Sequence, residues 1–280
     1  MRKLINNIRQ ELKSVYSESE TDALIRIIAL DLLKINNTTF FLRDTVSLTP
    51  AQTTLLDNCI KRLKKNEPIQ YIIGETPFCN LTFKVNPSVL IPRPETSELI
   101  QWITTECSIT KPCRILDVGT GSGCIAISLA RKLPHAEVTA WDISREAIET
   151  AKSNNELNNT EVLFQERDIL TFTPMDEKFD IIVSNPPYIK EKEKTTMESN
   201  VLDWEPALAL FVPDNDPLLF YRTIAEKAKK MLTSRGKLFF EINREHGAEI
   251  CDMLSSLGYN DVELRKDFAE NDRMVKCSFI

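Results

Sequence analysis

The sequence predicts an α/β fold: a parallel sheet with helices on both faces, preceded by a small helical region. Three observations lead there. From about residue 112 onward, short apolar runs alternate with amphipathic stretches, as strands separated by helices do in a parallel sheet. One of those runs, Arg114-Ile115-Leu116-Asp117-Val118, leads straight into a turn that holds three of the chain's seven glycines, Gly119, Gly121 and Gly123. Before all this, residues 1–75 place their apolar side chains at helical spacing.

The elements follow in order. Leu4, Ile8, Leu12 and Val15 form one helical stripe, and Ala23, Leu24, Ile27, Ile28 and Leu32 a second. A third helix begins at Thr49-Pro50-Ala51-Gln52, where threonine caps, proline suits the first helical position and glutamine reaches back to the cap. Its buried face is Leu55, Leu56, Cys59, Ile60 and Leu63. These stripes read as core packing of a small bundle. Pro68, Gly74, Pro77, Pro87, Pro92 and Pro94 then break any long helix, and 81–85 alternates as a short strand does. The domain reading is therefore a helical domain over 1–75, a hairpin linker over 76–94 and a second domain over 95–280. Residues 96–105 read as a helix with Leu99, Ile100 and Ile103 inward. Strands are expected at 113–118, 137–142, 161–165, 179–184, 236–242, 261–265 and 273–280, with helices at 123–133, 144–158, 216–232 and 245–257. No helix separates the last two strands, so the sheet is expected to close with an antiparallel strand.

Composition narrows the function classes. The chain has 280 residues, 42% hydrophobic and 27% charged, which is ordinary for a globular protein. A net charge of −6 disfavours a nucleic-acid backbone as partner. The seven cysteines are odd in number and contain no C-x-x-C pair, and His135 and His246 stand far apart, so reduced thiols and no metal site are expected. There is no apolar signal core and no stretch long enough to span a bilayer, so a cytoplasmic protein without membrane contact is expected.

Two motifs carry chemistry. Asp117-Val118-Gly119-Thr120-Gly121-Ser122-Gly123 spaces its glycines as G-x-G-x-G, unlike the G-x-G-x-x-G dinucleotide fingerprint, and lacks the Lys-Ser/Thr ending of a P-loop. Glycines there let the backbone approach a ligand and supply free N–H groups. The next strand ends in Asp142, placed either to bind ribose hydroxyls or to cap the following helix. Asp168 follows the third strand; its carboxylate can accept from an adenine amino group while Ile169 packs on the ring, or it is an exposed loop acid.

The second motif is Asn185-Pro186-Pro187-Tyr188, directly after the buried-strand pattern at 179–184 and hence where open sheets bind ligands. Two prolines remove N–H donors and leave carbonyls as acceptors. The side-chain oxygen of Asn185 and the carbonyl of Pro186 can each accept from one hydrogen of an NH2 group, and Tyr188 can stack on the plane that carries it. An amide nitrogen is a poor nucleophile because its lone pair is delocalised. Two acceptors orient it and draw on its hydrogens, so cradle and clamp together point to methyl transfer to nitrogen.

With these residues the chain resembles the glutamine N5-methyltransferases of peptide chain release factors, the PrmC or HemK family. Glu67-Pro68-Ile69-Gln70-Tyr71-Ile72-Ile73-Gly74 with Phe78, Ile91-Pro92-Arg93-Pro94-Glu95-Thr96, residues 117–123, residues 185–188 and Asn271-Asp272-Arg273-Met274-Val275 all match family segments. Ser97 stands where the family commonly has glutamate, with Glu98 adjacent. The resemblance implies a small N-terminal helical domain and a class I S-adenosylmethionine-dependent methyltransferase domain, Rossmann-like; the β-hairpin linker is the one read above, and the position of the helical domain points to substrate recognition. It implies S-adenosylmethionine as donor and, as acceptor, the glutamine of the Gly-Gly-Gln loop of a release factor. Asp117, Gly119, Thr120, Gly121, Ser122, Gly123, Asp142, Asp168, Ile169 and Asn185 would hold the donor. Asn185, Pro186, Pro187 and Tyr188 would hold the glutamine, with Asn185, Pro186 and Tyr188 closest to the chemistry and Arg93 and Glu95 shaping the cleft. A monomer without nucleic acid is expected. Rival readings are a glutamine methyltransferase of a ribosomal protein, a DNA or RNA amino-methyltransferase acting on a flipped base, and a binding protein that kept the fold without the chemistry.

Overall fold

The computed structural model describes residues 1–107, 111–174 and 177–279. The chain forms two compact units: Met1–Gly74 with Glu198–Trp204, and Glu75–Met197 with Glu205–Ile280.

The first unit holds α1 (Arg2–Leu12), α2 (Glu18–Ile27), α3 (Asn37–Phe41), α4 (Pro50–Leu63) and α5 (Ile69–Ile73). The cap read from Thr49-Pro50-Ala51-Gln52 is present: Thr49 Oγ1 accepts from the Gln52 amide and the Gln52 side chain accepts from the Thr49 amide. The stripes need correction at their edges. Val15 lies beyond α1 and is exposed, as are Ala23 and Leu55, while Ile5, Ile25 and Ala29 are buried. At its end α2 passes into a π-helical turn, Ile28–Leu32, which inserts extra chain per turn and rotates the buried face on to Ala29 and Leu33. Glu67 is buried against the guanidinium of Arg62, which also reaches the carbonyls of Tyr71 and Ile72, so Glu67 fixes the turn into α5. Trp204 donates its indole N–H to the Lys65 carbonyl at 3.2 Å, which ties Glu198–Trp204, including α9 (Ser199–Leu202), to this unit.

The second unit opens with a hairpin, β1 (Glu75–Phe78) and β2 (Leu81–Lys84), assigned to this unit rather than standing apart from it. Its two-residue turn needs left-handed backbone at Cys79 (φ 50) and Asn80 (φ 63) and obtains it without glycine. Then come α6 (Thr96–Glu106), β3 (Cys113–Val118), α7 (Cys124–Lys132), β4 (Ala136–Asp142), α8 (Arg145–Leu157), β5 (Val162–Glu166) and β6 (Phe179–Ser184). After the short β7 (Ile189–Lys190), α10 (Ala207–Leu210) and β8 (Phe211–Val212) come α11 (Leu219–Met231), β9 (Leu232–Glu241), α12 (Gly247–Ser256), β10 (Asn260–Lys266) and β11 (Asp272–Ser278). Of the final strand expected at 273–280, residue 280 lies outside the described residues.

Among the described residues the main sheet has seven strands in the order β10-β11-β9-β6-β3-β4-β5. Pairs from β9 to β5 are parallel, and β11 runs antiparallel to both β9 and β10. Alternate residues of the central strands feed two cores. Ile115, Val183 and Phe239 pack under α6 and α7, while Leu116, Ile182 and Leu238 pack with Ile224 and Ile250 of α11 and α12. From β3 the chain winds outward through β4 to β5 and then returns to the other side of β3 as β6. The strand order reverses between β3 and β6, and that switch point opens a crevice at their carboxyl ends. Among the described residues no helix is long and apolar enough to cross a membrane.

Candidate active site

The crevice is a cavity of about 290 Å³ at the carboxyl ends of β3, β4 and β6. In register, Val118 pairs with Ser184 and Ser184 with Phe240, so the residues that leave these strands emerge side by side. Ser184 Oγ donates to the Val118 carbonyl at 2.6 Å and locks the ends of β3 and β6 together. Gly119, Thr120, Gly121 and Ser122 line one wall; Asn185, Pro186 and Pro187 line another, with Asp142, Asp168, Ile169 and Arg93 also at the surface of the cavity.

The glycine loop corrects one expectation. The N–H groups of its three glycines are not free: Gly119 donates to the Trp141 carbonyl, as Thr120 does, Gly123 donates to the Thr120 carbonyl, and Gly121 donates to Asp142 Oδ2 at 2.8 Å. The loop presents close backbone surface rather than a set of anion-binding donors, which suits a ligand without phosphates. At Gly119 and Gly121 a Cβ would meet nothing within 4 Å, so the space that glycine vacates there is open.

Asp117 is fully buried and does not line the cavity. It accepts from Thr120 Oγ1 at 2.7 Å and so holds the loop from beneath, and burial pushes its carboxyl up to about 7. Gly123, Glu95 and Tyr188 likewise stand outside the lining. Of the two alternatives read for Asp142, the helix cap itself falls to Ser144, whose Oγ accepts from the Ala147 amide, and Asp142 stands beside it. Its two oxygens accept from the Gly121 and Ser144 amides, fixing the loop and the entry to α8, while the residue also faces the cavity. Burial raises its pKa, with the backbone donors opposing. Asp168 spends its oxygens on the Leu170 amide and the Thr171 hydroxyl, which braces the turn that presents Ile169.

Asn185 is one of several polar residues of the lining, with Ser122 and Arg167, that keep side-chain atoms without a protein partner. Among the described residues no hydrogen bond engages its carboxamide, and no donor reaches the Pro186 carbonyl, although both line the cavity. Tyr188 packs against the core under α11, its carbonyl accepting from Asn243, and burial pushes its phenol up to about 12.

Whole-chain comparisons bear on what this site does. A family model for the PrmC N-terminal domain matches residues 3–74, and one for the methyltransferase small domain matches residues 96–203. A release factor glutamine methyltransferase of Bacteroides thetaiotaomicron is 48% identical over 279 residues, covering 99% of this chain and 100% of that protein. The chain belongs to the release factor glutamine methyltransferase family. A second member of the family, from Flavobacterium psychrophilum, is 45% identical over 283 residues, covering 99% of both chains. The crystal structure of a methyltransferase from Pyrococcus furiosus superposes with a TM-score of 0.52 at 21% identity, covering 71% of this chain and 88% of that one, which supports the fold.

As in a methyltransferase of this family, the cofactor is S-adenosylmethionine, and the residues present fit it. Open space over Gly119 and Gly121, a carboxylate at Asp142, and the apolar side chains of Ile143, Ile169 and Leu170 around one cavity match a ligand with a diol and a flat base. Ile143 and Leu170 are 48% and 40% exposed, so apolar surface remains there for a ligand to cover. The sequence reading missed both, though each directly follows a residue it singled out. It also missed Asn154, buried in α8, which donates to the carbonyls of Lys84 and Ser122 at 3.0 and 2.9 Å and accepts from the Lys84 amide at 2.6 Å. Arg93 pairs with the buried Glu205 at 2.7 Å and so anchors the segment that brings Pro206 and Leu208 to the cavity.

Proposed function

We infer that this chain transfers a methyl group from S-adenosylmethionine to the side-chain amide nitrogen of the glutamine in the Gly-Gly-Gln motif of peptide chain release factors. The observation that carries the assignment is the unengaged Asn185 carboxamide, beside the free Pro186 carbonyl and in the same cavity as the glycine loop. Bound S-adenosylmethionine supplies an electrophilic methyl on a sulfonium. Asn185 Oδ1 and the Pro186 carbonyl each accept one hydrogen of the incoming NH2, which fixes its orientation and keeps electron density on nitrogen. Tyr188 packs behind the motif against the core, and Pro187 keeps the backbone from turning its carbonyls away. Asp142 binds the ribose hydroxyls, with Gly119 to Ser122 as the floor of the donor site and Ile169 against the base. Asp117 and Gly123 serve the same site by shaping the loop.

The helical unit formed by Met1–Gly74 recognises the release factor, and residues 76–94 link it to the methyltransferase domain over 95–280, with the hairpin belonging to that domain's unit. Arg93 and Glu95 border the substrate approach. The enzyme works in the cytoplasm, as a monomer, without nucleic acid. Mass spectrometry of a full-length release factor incubated with enzyme and S-adenosylmethionine tests this reading: one methyl on the Gly-Gly-Gln glutamine is expected, and an unmodified glutamine with a methyl elsewhere would overturn it.

A further inference from the structure

Glu241 ends β9 at the same edge of the sheet as Gly119 and Asn185, one residue past the Ser184–Phe240 pair. It is 1% exposed, and its Oε2 accepts a 2.6 Å hydrogen bond from Thr96 Oγ1. Thr96 opens α6 and lines the cavity that Asn185 and Pro186 also line. A buried carboxylate is therefore joined to the reaction chamber by one hydroxyl. For simple packing a charged group there is costly, since a neutral side chain would satisfy Thr96 without desolvating a charge.

Resting on the reading of this cavity as an amide methyltransferase site, we propose that Glu241, acting through the Thr96 hydroxyl, takes up the proton that the substrate amide gives off. The amide nitrogen uses its lone pair to form the N–CH3 bond as the S–CH3 bond breaks, and that bonding pair stays on sulfur. The nitrogen then carries one proton too many. Methylation makes the nitrogen tetrahedral, which turns one N–H out of the clamp towards Thr96; that bond breaks with the electrons left on nitrogen, the proton passes to Thr96 Oγ1, and Thr96 delivers its own proton to Glu241 Oε2. The product is a neutral N-methyl amide and a neutral carboxylic acid, which later returns its proton to water.

The surroundings suit an acceptor that works near neutrality. Burial pushes the Glu241 carboxyl up to about 7 despite Arg273 on β11 and Arg93 before α6, with Glu95 adding to the rise. Tyr188 and Cys124 also feel its charge, and the Tyr221 hydroxyl donates to the Glu241 carbonyl at 3.3 Å. General acid–base transfer is most effective with a group whose pKa lies near the working pH. Glu241 lies outside the cavity lining, and among the described residues the cavity-lining side chain hydrogen-bonded to its carboxylate is Thr96.

Two measurements test the relay. The first is the single-turnover rate of methyl transfer to a full-length release factor across pH. In the wild type the rate should climb through about pH 7 to a plateau. In Glu241→Gln, which keeps an acceptor for Thr96, it should fall by about 100-fold and lose that climb. Thr96→Val should behave as Glu241→Gln does, Thr96→Ser should restore most of the rate, and S-adenosylmethionine affinity should stay within a few-fold in all three. A Glu241→Gln enzyme that keeps its rate and its pH climb overturns the relay. The second is carboxyl 13C NMR of glutamate-labelled enzyme without substrate, the Glu241 signal being assigned by its absence in Glu241→Gln. That signal should titrate near neutrality and move in Thr96→Val; a carboxyl ionised throughout overturns the relay. A wild type with no transfer to the release factor would refute the substrate reading instead, and the NMR titration would still decide the state of Glu241.

Discussion

Asn154 Nδ2 donates to the Ser122 carbonyl at 2.9 Å, so a helix side chain with no exposed surface ties the last turn of the glycine loop to the body of the domain. The same amide group pairs with both backbone groups of Lys84 on β2. The hairpin and the donor site are thus fixed by one residue.

Asn154→Leu keeps the branched shape and strands three backbone groups, the buried Ser122 carbonyl and the half-buried amide and carbonyl of Lys84. It should cost about 2 kcal/mol of stability, since a buried group left unpaired costs roughly 1–3 kcal/mol and water recovers most of the loss at the half-buried Lys84 groups. Urea unfolding measures the loss, and calorimetry should find weaker S-adenosylmethionine binding in the folded variant. A loss below about 0.5 kcal/mol would remove Asn154 from this role.

The fold was legible wherever burial writes itself into composition. Central parallel strands are covered on both faces, so β3 and β6 stand out as apolar runs, and the motifs at their ends fall where open sheets bind ligands. Asp117, Asp142 and the Asn185–Tyr188 motif were singled out that way. Short helices such as α3 and α5 were not, because five residues carry too little periodicity. The π-turn after α2 moved a buried face that a strict helical period had set elsewhere. Asn154 and Glu241 were invisible for another reason: their partners lie 70 and 145 residues away, at Lys84 and Thr96, and no local pattern encodes such a pairing.

Asp117 gives stability a defined pH dependence. Its folded carboxyl sits at about 7, well above the ordinary carboxylate value near 4. The native state therefore keeps a proton that the unfolded chain has already lost. The stabilisation is full below about pH 4 and is lost as pH rises through about 7. Asp117→Asn abolishes this titration while keeping an acceptor for Thr120. Its melting temperature relative to the wild type should improve from about pH 5 to about pH 8, and a difference that does not change with pH would contradict the assignment.

Two glycines of one loop should respond differently to the same change. At Gly123 (φ +81) a Cβ would lie 2.8 Å from Ile127 Cδ1 and 3.2 Å from Ala151 Cβ, whereas at Gly121 (φ +55) nothing lies within 4 Å. Gly121→Ala should cost only the backbone term, about 1 kcal/mol, and Gly123→Ala about 2–3 kcal/mol, because overpacking adds to it. Denaturant midpoints separate the two, and equal losses would argue against the packing contribution.

Ile143 and Leu170 offer apolar surface to the donor site. Ile143→Ala should leave stability nearly unchanged and weaken S-adenosylmethionine binding by about 1–2 kcal/mol, the transfer energy of the atoms removed. Unchanged affinity by calorimetry would show that the base binds elsewhere.

The most direct test is made on Asn185, whose carboxamide no protein donor or acceptor engages among the described residues. With labelled methyl donor and a full-length release factor, the single-turnover rate of Asn185→Ala should fall by about 100-fold or more, while its melting temperature stays close to that of the wild type. A folded Asn185→Ala enzyme that methylates the glutamine at close to the native rate would contradict the amide clamp.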